Sequence, residues 1–223
     1  RQAGHAFIEM KNRIERATEQ RTAMLNGVSH DLRTILTRFK LSVALIDNSA
    51  DSELLQKDVD EMGRMLEGYL AFARGDASES TVRTDVKALL DDLRADAERH
   101  GAAVSLETHG DLAIPVRPIA IKRCVGNLVA NAQRHADHVW ISAKREPQAV
   151  AVVVDDDGVG IPQEHREDVF RPFYRLDEAR NQDEGGAGLG LAIARDIARS
   201  HGGDIILADS PMGGLRAVVR LPV

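Results

Sequence analysis

Residues 28–37 read VSHDLRTILT, inside a pattern that carries apolar side chains at Leu25, Val28, Leu32, Leu36, Phe39, Val43 and Ile46. The steps alternate between three and four residues, which draws one apolar stripe down a helix. His30 stands two residues from both Val28 and Leu32, so at about 100° per residue it points roughly 200° away from that stripe. Thr34 lies one turn further along the same outward face, and Asp31 is the immediate neighbour of His30. The pattern therefore holds an imidazole in solvent, beside a carboxylate, on a rigid element.

Alone, a surface His beside an Asp is an ordinary solvated pair, and the chain holds eight His. Its surroundings decide what it means. Residues 5–48 contain no proline and many strong helix formers, so they read as one very long helix. Such a length without internal caps belongs to a coiled coil or a bundle. Asp47-Asn48-Ser49-Ala50-Asp51 then supplies turn and capping residues. A second helix follows from about Ser52 to Arg74, with Leu55, Val59, Met62, Leu66, Tyr69 and Ala73 at helical spacing. Two antiparallel helices bury little by themselves, because each covers only one face of the other. Pairing two hairpins into a four-helix bundle solves that, so a homodimer through this segment is expected.

Composition bounds the rest. The chain has 223 residues and 24.4 kDa, 43% hydrophobic and 29% charged, the balance of a folded globular protein of one or two domains. Aromatic residues make up only 4%, so aliphatic packing dominates the expected cores. A net charge of −6 argues against a nucleic-acid binder, which needs a basic face. Residues 1–75 carry 11 basic and 11 acidic side chains, so the whole excess lies in the remainder. Cys124 is the single cysteine and excludes an internal disulfide. No zinc-type cluster, signal-peptide pattern or long apolar run is present.

Residues 75–84, GDASESTVRT, are small, polar and unpatterned, which reads as a linker over 76–84. Beyond it, helices are expected at about 85–99, 119–136 and 189–201. Strands are expected near 103–108, 138–144, 149–155, 204–208 and 215–221, with a hairpin turn at Met212-Gly213-Gly214. The fold expected for 85–223 is an α/β sandwich, a mixed sheet covered on one face by helices.

The chemistry clusters there. In NLVANAQRH, Asn127 and Asn131 are one turn apart on one helix face, with His135 a further turn on. Two carboxamides on one ridge suit a hydrated magnesium ion, although spacing alone favours a plain pair of surface asparagines. The strand AVVVDDDGVGI ends in Asp156-x-Gly158-x-Gly160, where the carboxylate can accept from an exocyclic amine while bare backbone approaches a flat ring. GGAGLGLAI places Gly186, Gly188 and Gly190 at the start of a helix, an arrangement that cradles phosphate. A Rossmann reading of that stretch, with Asp209 as the ribose acid, fails: position 191 is Leu, and a charged loop precedes the glycines instead of a strand.

In order along the chain, SHDLRT, NLVANAQRH, DDDGVGI, FRPFYR (170–175) and GAGLGLAI resemble the phosphoacceptor, N, first glycine, F and second glycine boxes of two-component sensor histidine kinases of the osmosensor EnvZ type. The resemblance spans about residues 22–223 and implies a dimeric phosphotransfer hairpin at 23–75 and a GHKL-type ATP-binding domain at 85–223. The opening AFIEMKNRIERATEQR resembles the closing helix of a HAMP signalling module, so 1–22 would be a signalling helix. A sensor and a membrane segment would then lie upstream, and this chain would be the cytoplasmic portion of an inner-membrane protein. The cofactors implied are ATP and Mg2+, and the partner implied is the receiver domain of a response regulator.

The same resemblance implies residue roles. His30 would be the phosphorylated nucleophile, Asp31 its orienting or proton-accepting neighbour, and Thr34 the residue that positions water to hydrolyse a receiver's phosphoaspartate. Asn131, helped by Asn127, would hold magnesium, with Arg134 and His135 near the phosphates or ribose. Asp156, Gly158, Gly160 and Ile161 would form the adenine site. Gly186, Ala187, Gly188, Leu189, Gly190 and Leu191 would hinge and cap a lid whose body is about 163–185, and Arg175 would reach the phosphates. Phosphoryl transfer needs positioning and charge neutralisation more than covalent chemistry, which fits two domains joined by a linker.

Two positions depart from the family pattern. Ile35 stands where a proline is usual, five residues after the His. It lies about 20° from Val28 around the helix, so it is expected to extend the buried stripe and leave the helix straighter. Arg117-Pro118 stands where many relatives carry Asp-Pro, and little chemical effect is expected. A scaffold relative, a GHKL-type ATPase and a phosphatase-biased kinase are the alternatives. The intact His, Asn and glycine set argues against the first. The His30 hairpin is superfluous to the second. The third keeps every motif.

Overall fold

The computed structural model describes residues 32, 34–43, 55–56, 58–60, 62–63, 66, 79–176 and 188–223, and the chain divides into two compact units, Arg1–Gly75 and Asp76–Val223. In the first unit every described residue is helical. Lys40 Nζ donates to Asp60 Oδ1 at 2.8 Å, an exposed pair worth little by itself, while Val43 and Val59 are buried. The apolar stripe is only partly covered. Leu32, Ile35 and Phe39 are 38%, 45% and 55% exposed, so the burial expected of Ile35 does not occur within the chain. The physical reason is the one that limits any helix pair, since one neighbour covers one strip of surface. The remaining residues of the expected 5–48 and 52–74 helices, with His30 and Asp31, lie outside the described residues.

The second unit is built on strands β1 (Val82–Asp85), β2 (Ala103–His109), β3 (Ala113–Val116), β4 (His138–Arg145), β5 (Ala149–Asp156), β6 (Asp204–Asp209) and β7 (Leu215–Pro222). Its helices are α1 (Val86–Arg99), α2 (Pro118–His135) and α3 (Gly190–Ser200). The main sheet runs β2-β4-β5-β7-β6, with β2 parallel to β4 and every other pair antiparallel. This is the mixed sheet expected, and the five strands fall within a residue or two of their expected places.

The small sheet is a difference. Val82–Thr84, read as linker, form β1 and pair antiparallel with β3, an element the sequence reading left out. Pro115 disguised β3, because proline fits a strand only where no ladder donor is needed; a two-stranded ribbon provides such a place.

Alternation along the strands explains the layering. Val139, Ile141 and Ala143 of β4, with Val150, Val152 and Val154 of β5, are buried, while Trp140 and Ser142 are partly open. The helices pack on that buried face. Helix α2 buries Ala120, Ile121, Cys124, Val125, Leu128, Val129 and Ala132, and α3 buries Leu191 to Ala194 with Ile197 and Ala198. The two helices pack against each other, and Cys124 Sγ donates to the Ala194 carbonyl at 3.3 Å. Each fully buried Ile, Leu or Val contributes about 1.5–3 kcal/mol, which makes this layer the rigid floor of the site.

Candidate functional site

Asp156 ends β5 and is 4% exposed. Its Oδ1 accepts the Gly158 and Leu215 amides, each at 2.9 Å, and its carbonyl accepts the Gly214 amide at 3.1 Å. Both backbone amides that reach the side chain fall on one oxygen, so the carboxylate is held in place and Oδ2 remains for a ligand's donor. Two glycines make this possible. A Cβ on Gly214 would overlap Asp156 Oδ1, and one on Gly158 would overlap the His135 carbonyl oxygen at the end of α2. Asp157 Oδ1 accepts the amides of His138 and Asp137, each at 3.0 Å. The His138 amide is the main reason its carboxyl lies below the usual range. The turn after β5 is thus stitched to the start of β4 and to the end of α2.

Asn127 projects from the middle of α2, and its Nδ2 is buried without a partner among the described residues. A Cβ on Gly190 would stand 3.9 Å from both the Asn127 Cβ and its backbone oxygen, so the start of α3 lies beside this residue. No side chain caps α3. A buried amide donor with no partner, near a helix that starts on a glycine and has no side-chain cap, is suited to a phosphate-bearing ligand. Asn131 follows one turn along α2, and Arg134 and His135 are exposed at its end.

Phe173 and Gly188 are joined directly. The Phe173 amide donates to the Gly188 carbonyl at 3.0 Å, and a Cβ on Gly188, at φ +65°, would stand 2.9 Å from the Phe173 carbonyl carbon. Phe173 itself has φ 67°, a conformation bulky residues rarely adopt. Arg195 of α3 fastens the same region. Its Nη1 donates to Glu167 at 2.6 Å, its Nε to Asp204 at 2.8 Å, and its guanidinium carbon lies 4.2 Å from the centre of the Phe170 ring. Hydrogen bonding to Asp204 raises the Arg195 pKa. At Asp204 burial alone would raise the pKa, but Arg195, Arg199 and the Ile205 amide outweigh it and hold the carboxyl well below the usual range.

The profile of the "histidine kinase-, DNA gyrase B-, and HSP90-like ATPase" family matches residues 116–223. The chain is 38% identical over 99% of its length to the sensor histidine kinase GtrS of Pseudomonas aeruginosa, covering 46% of that protein. It is 34% identical, also over 99%, to the sensor histidine kinase CpxA of Escherichia coli, covering 51%. The ATP-binding domain of PrrB from Mycobacterium tuberculosis superposes with a TM-score of 0.55 at 34% identity, over 65% of this chain and 98% of that one. This chain belongs to the sensor histidine kinases.

The chain spans about half the length of the curated kinases it matches. Within this sensor-kinase ATP-binding domain, the structure brings Asn127 to Gly190, and Asp156 and Gly158 to His135 and Gly214. Gly160 lies against Gly214, and the Ile161 carbonyl accepts from Arg166 Nε at 2.9 Å. Leu189 and Leu191 are buried, so their side chains belong to the core and what they offer a ligand is backbone. Arg175 is exposed, and Gly186 and Ala187 lie outside the described residues. Thr34 is helical and exposed in the other unit. The sequence reading missed Gly214, Glu167 and Arg195. Gly214 was legible as a turn residue but not as the seat of Asp156, and nothing in local spacing marks the other two.

Proposed function

We propose that this chain autophosphorylates on His30 from ATP and passes the phosphoryl group to an aspartate of a response-regulator receiver domain. The observation that carries the nucleotide half is Asp156, whose Oδ1 is tied by two backbone amides while Oδ2 is left to accept an adenine amine. The orphaned Asn127 amide beside Gly190 suits the phosphates. Among the described residues no cluster of three His, Cys, Asp or Glu could hold a metal. Magnesium would rest on the Asn131 and Asn127 carboxamides, as the family resemblance implies, with water and phosphate oxygens completing its shell. When bound, the ion neutralises charge on the β- and γ-phosphates.

A ring nitrogen of His30 attacks the γ-phosphorus, the bond to the β–γ bridging oxygen breaks, and ADP leaves. Asp31 orients the imidazole or takes its proton. Thr34 positions water for the reverse function, hydrolysis of the receiver's phosphoaspartate. Residues 23–75 form the phosphotransfer hairpin, and two copies pair as a four-helix bundle. The exposed Leu32, Ile35, Phe39, Leu55 and Met62 support that pairing. No described helix is long and apolar enough to cross a membrane. The chain is proposed as the cytoplasmic portion of a membrane sensor, with residues 1–22 as its signalling helix.

Incubation with γ-labelled ATP and magnesium, beside a His30→Gln variant, tests this. Acid-labile, alkali-stable label confined to the unsubstituted chain is expected. Nucleotide binding without label would favour the phosphatase-biased alternative, and no binding would overturn the reading of the second unit.

A further inference from the structure

Helix α2 begins without help from its flanking residues. Its N-cap, Arg117, makes no side-chain capping bond, and Pro118 in the first turn has no N–H. The next two amides, Ile119 and Ala120, are the orphan donors that every helix start leaves. One side chain from far upstream takes both. Glu79 Oε1 accepts the Ile119 amide at 2.7 Å, and Oε2 accepts the Ala120 amide at 3.0 Å. A carboxylate there also meets the positive end of the helix dipole. Glu79 lies before β1, inside the stretch that sequence alone reads as linker.

We propose that Glu79 is a positioning residue for phosphoryl transfer: by anchoring to α2 it sets the length of chain that tethers the ATP-binding unit to the His30 segment. The proposal rests on the autokinase reading. Without this bond the unit's first fixed residue is Val82, where β1 joins β3. With it, the hold begins three residues earlier, at Glu79. Three residues of extended chain span about 10 Å, so the anchor removes up to that much reach. Tether length sets the effective concentration of one linked module at the other, which falls once the chain exceeds the span required. The anchor does not touch the nucleotide site. Asn127 is eight residues along α2 from Ile119, about 12 Å at 1.5 Å per residue. Glu79 therefore acts on the transfer step and not on ATP binding.

The test uses the full chain with Glu79→Ala and Glu79→Gln. Amide exchange in the first turn of α2, affinity for ATP, and the rate of His30 labelling at saturating ATP are measured together. In Glu79→Ala exchange speeds up, ATP affinity stays within about twofold, and the labelling rate falls at least about threefold. Glu79→Gln, which keeps one acceptor oxygen and no charge, falls between. An unchanged labelling rate overturns the proposal. So does an ATP affinity that falls in step with the rate, because Glu79 would then merely support the nucleotide fold. An unlabelled wild-type chain overturns the autokinase reading and the tether with it, whereas equal label in wild type and Glu79→Ala overturns the tether alone.

Discussion

Gly158 sits on the last turn of α2, where a Cβ would stand 2.9 Å from the His135 carbonyl carbon and overlap its oxygen. Backbone lies on both sides of that gap, so no flexible side chain can yield. Gly158→Ala must push the turn off the helix, and with it the amide that holds Asp156 Oδ1. Overpacking of this kind costs about 1–3 kcal/mol. The expected outcome is a lower melting temperature together with loss of ATP binding by at least about tenfold. Calorimetry and nucleotide titration on the same sample check it, and wild-type affinity in a folded variant would refute it.

Asp156→Asn separates the structural hydrogen bonds of that carboxylate from its proposed part in adenine binding. The amide oxygen can keep the Gly158 and Leu215 donors, but an NH2 then replaces Oδ2 and faces the adenine amine donor to donor. A lost charge-assisted hydrogen bond is worth about 1.5–3 kcal/mol, so ATP affinity should fall roughly ten- to a hundredfold with little change in melting temperature. The variant should also discriminate less between ATP and GTP. Unaltered preference for adenine would remove Asp156 from base recognition.

These two residues also mark how far the sequence could be read. The places of Asp156 at a strand end and of Asn127 and Asn131 one turn apart on a helix were legible because each lies on a regular element, where strand alternation and helical spacing fix direction. The mixed sheet and its covering helices were legible for the same reason. Gly214, Glu79 and Arg195 were not, since each acts on a residue 28 to 59 positions away, through contacts such as Leu215 to Asp156, Glu79 to Ala120 and Arg195 to Glu167. Local pattern carries no information about such pairs. Ile35 shows the opposite limit: spacing placed it beside an apolar stripe and led to an expectation of burial, yet it is 45% exposed, because burial depends on what surrounds the helix.

Arg195 is expected to matter for the loop base more than for the fold. It is the one described side chain that meets Glu167, Asp204 and the Phe170 ring together. Arg195→Met keeps much of its packing volume and removes the charge. Because Asp204 is partly exposed, the stability loss should be modest, on the order of 1 kcal/mol. The stretch around Phe170 should exchange its amides faster, and KM for ATP should rise more than kcat falls. An equal change in Glu167→Gln and no further loss in the double variant would trace the effect to this pair. Fully additive losses would count against it.

Asp204 gives a pH prediction with a definite sign. Its folded pKa is depressed, so its contribution is present above the ordinary aspartate value of about 3.9 and is lost as pH falls through that value toward the folded one. Asp204→Asn should therefore lower the melting temperature at pH 7. The gap between the two proteins should narrow progressively below about pH 4. A gap that is constant from neutral to acid would mean that the carboxylate's charge plays no part in joining α3 to β6.

Ile35 tests whether the helical unit needs to bend. It is helical and 45% exposed, so replacing it sacrifices little core packing within one chain. Proline at a helix interior removes one backbone hydrogen bond and clashes with the preceding turn, at about 3 kcal/mol. In the proposed bundle, helices that cannot kink beside the proposed phosphoacceptor lose one route between arrangements that favour phosphorylation and dephosphorylation. Ile35→Pro should lower the melting temperature of residues 1–75. It should also shift the ratio of receiver dephosphorylation to His30 labelling by about threefold or more, equivalent to roughly 0.65 kcal/mol. Both rates are measured with the same receiver domain and the same ATP concentration. If the two proteins give equal ratios while the variant is measurably less stable, Ile35 stiffens the helix without governing the switch.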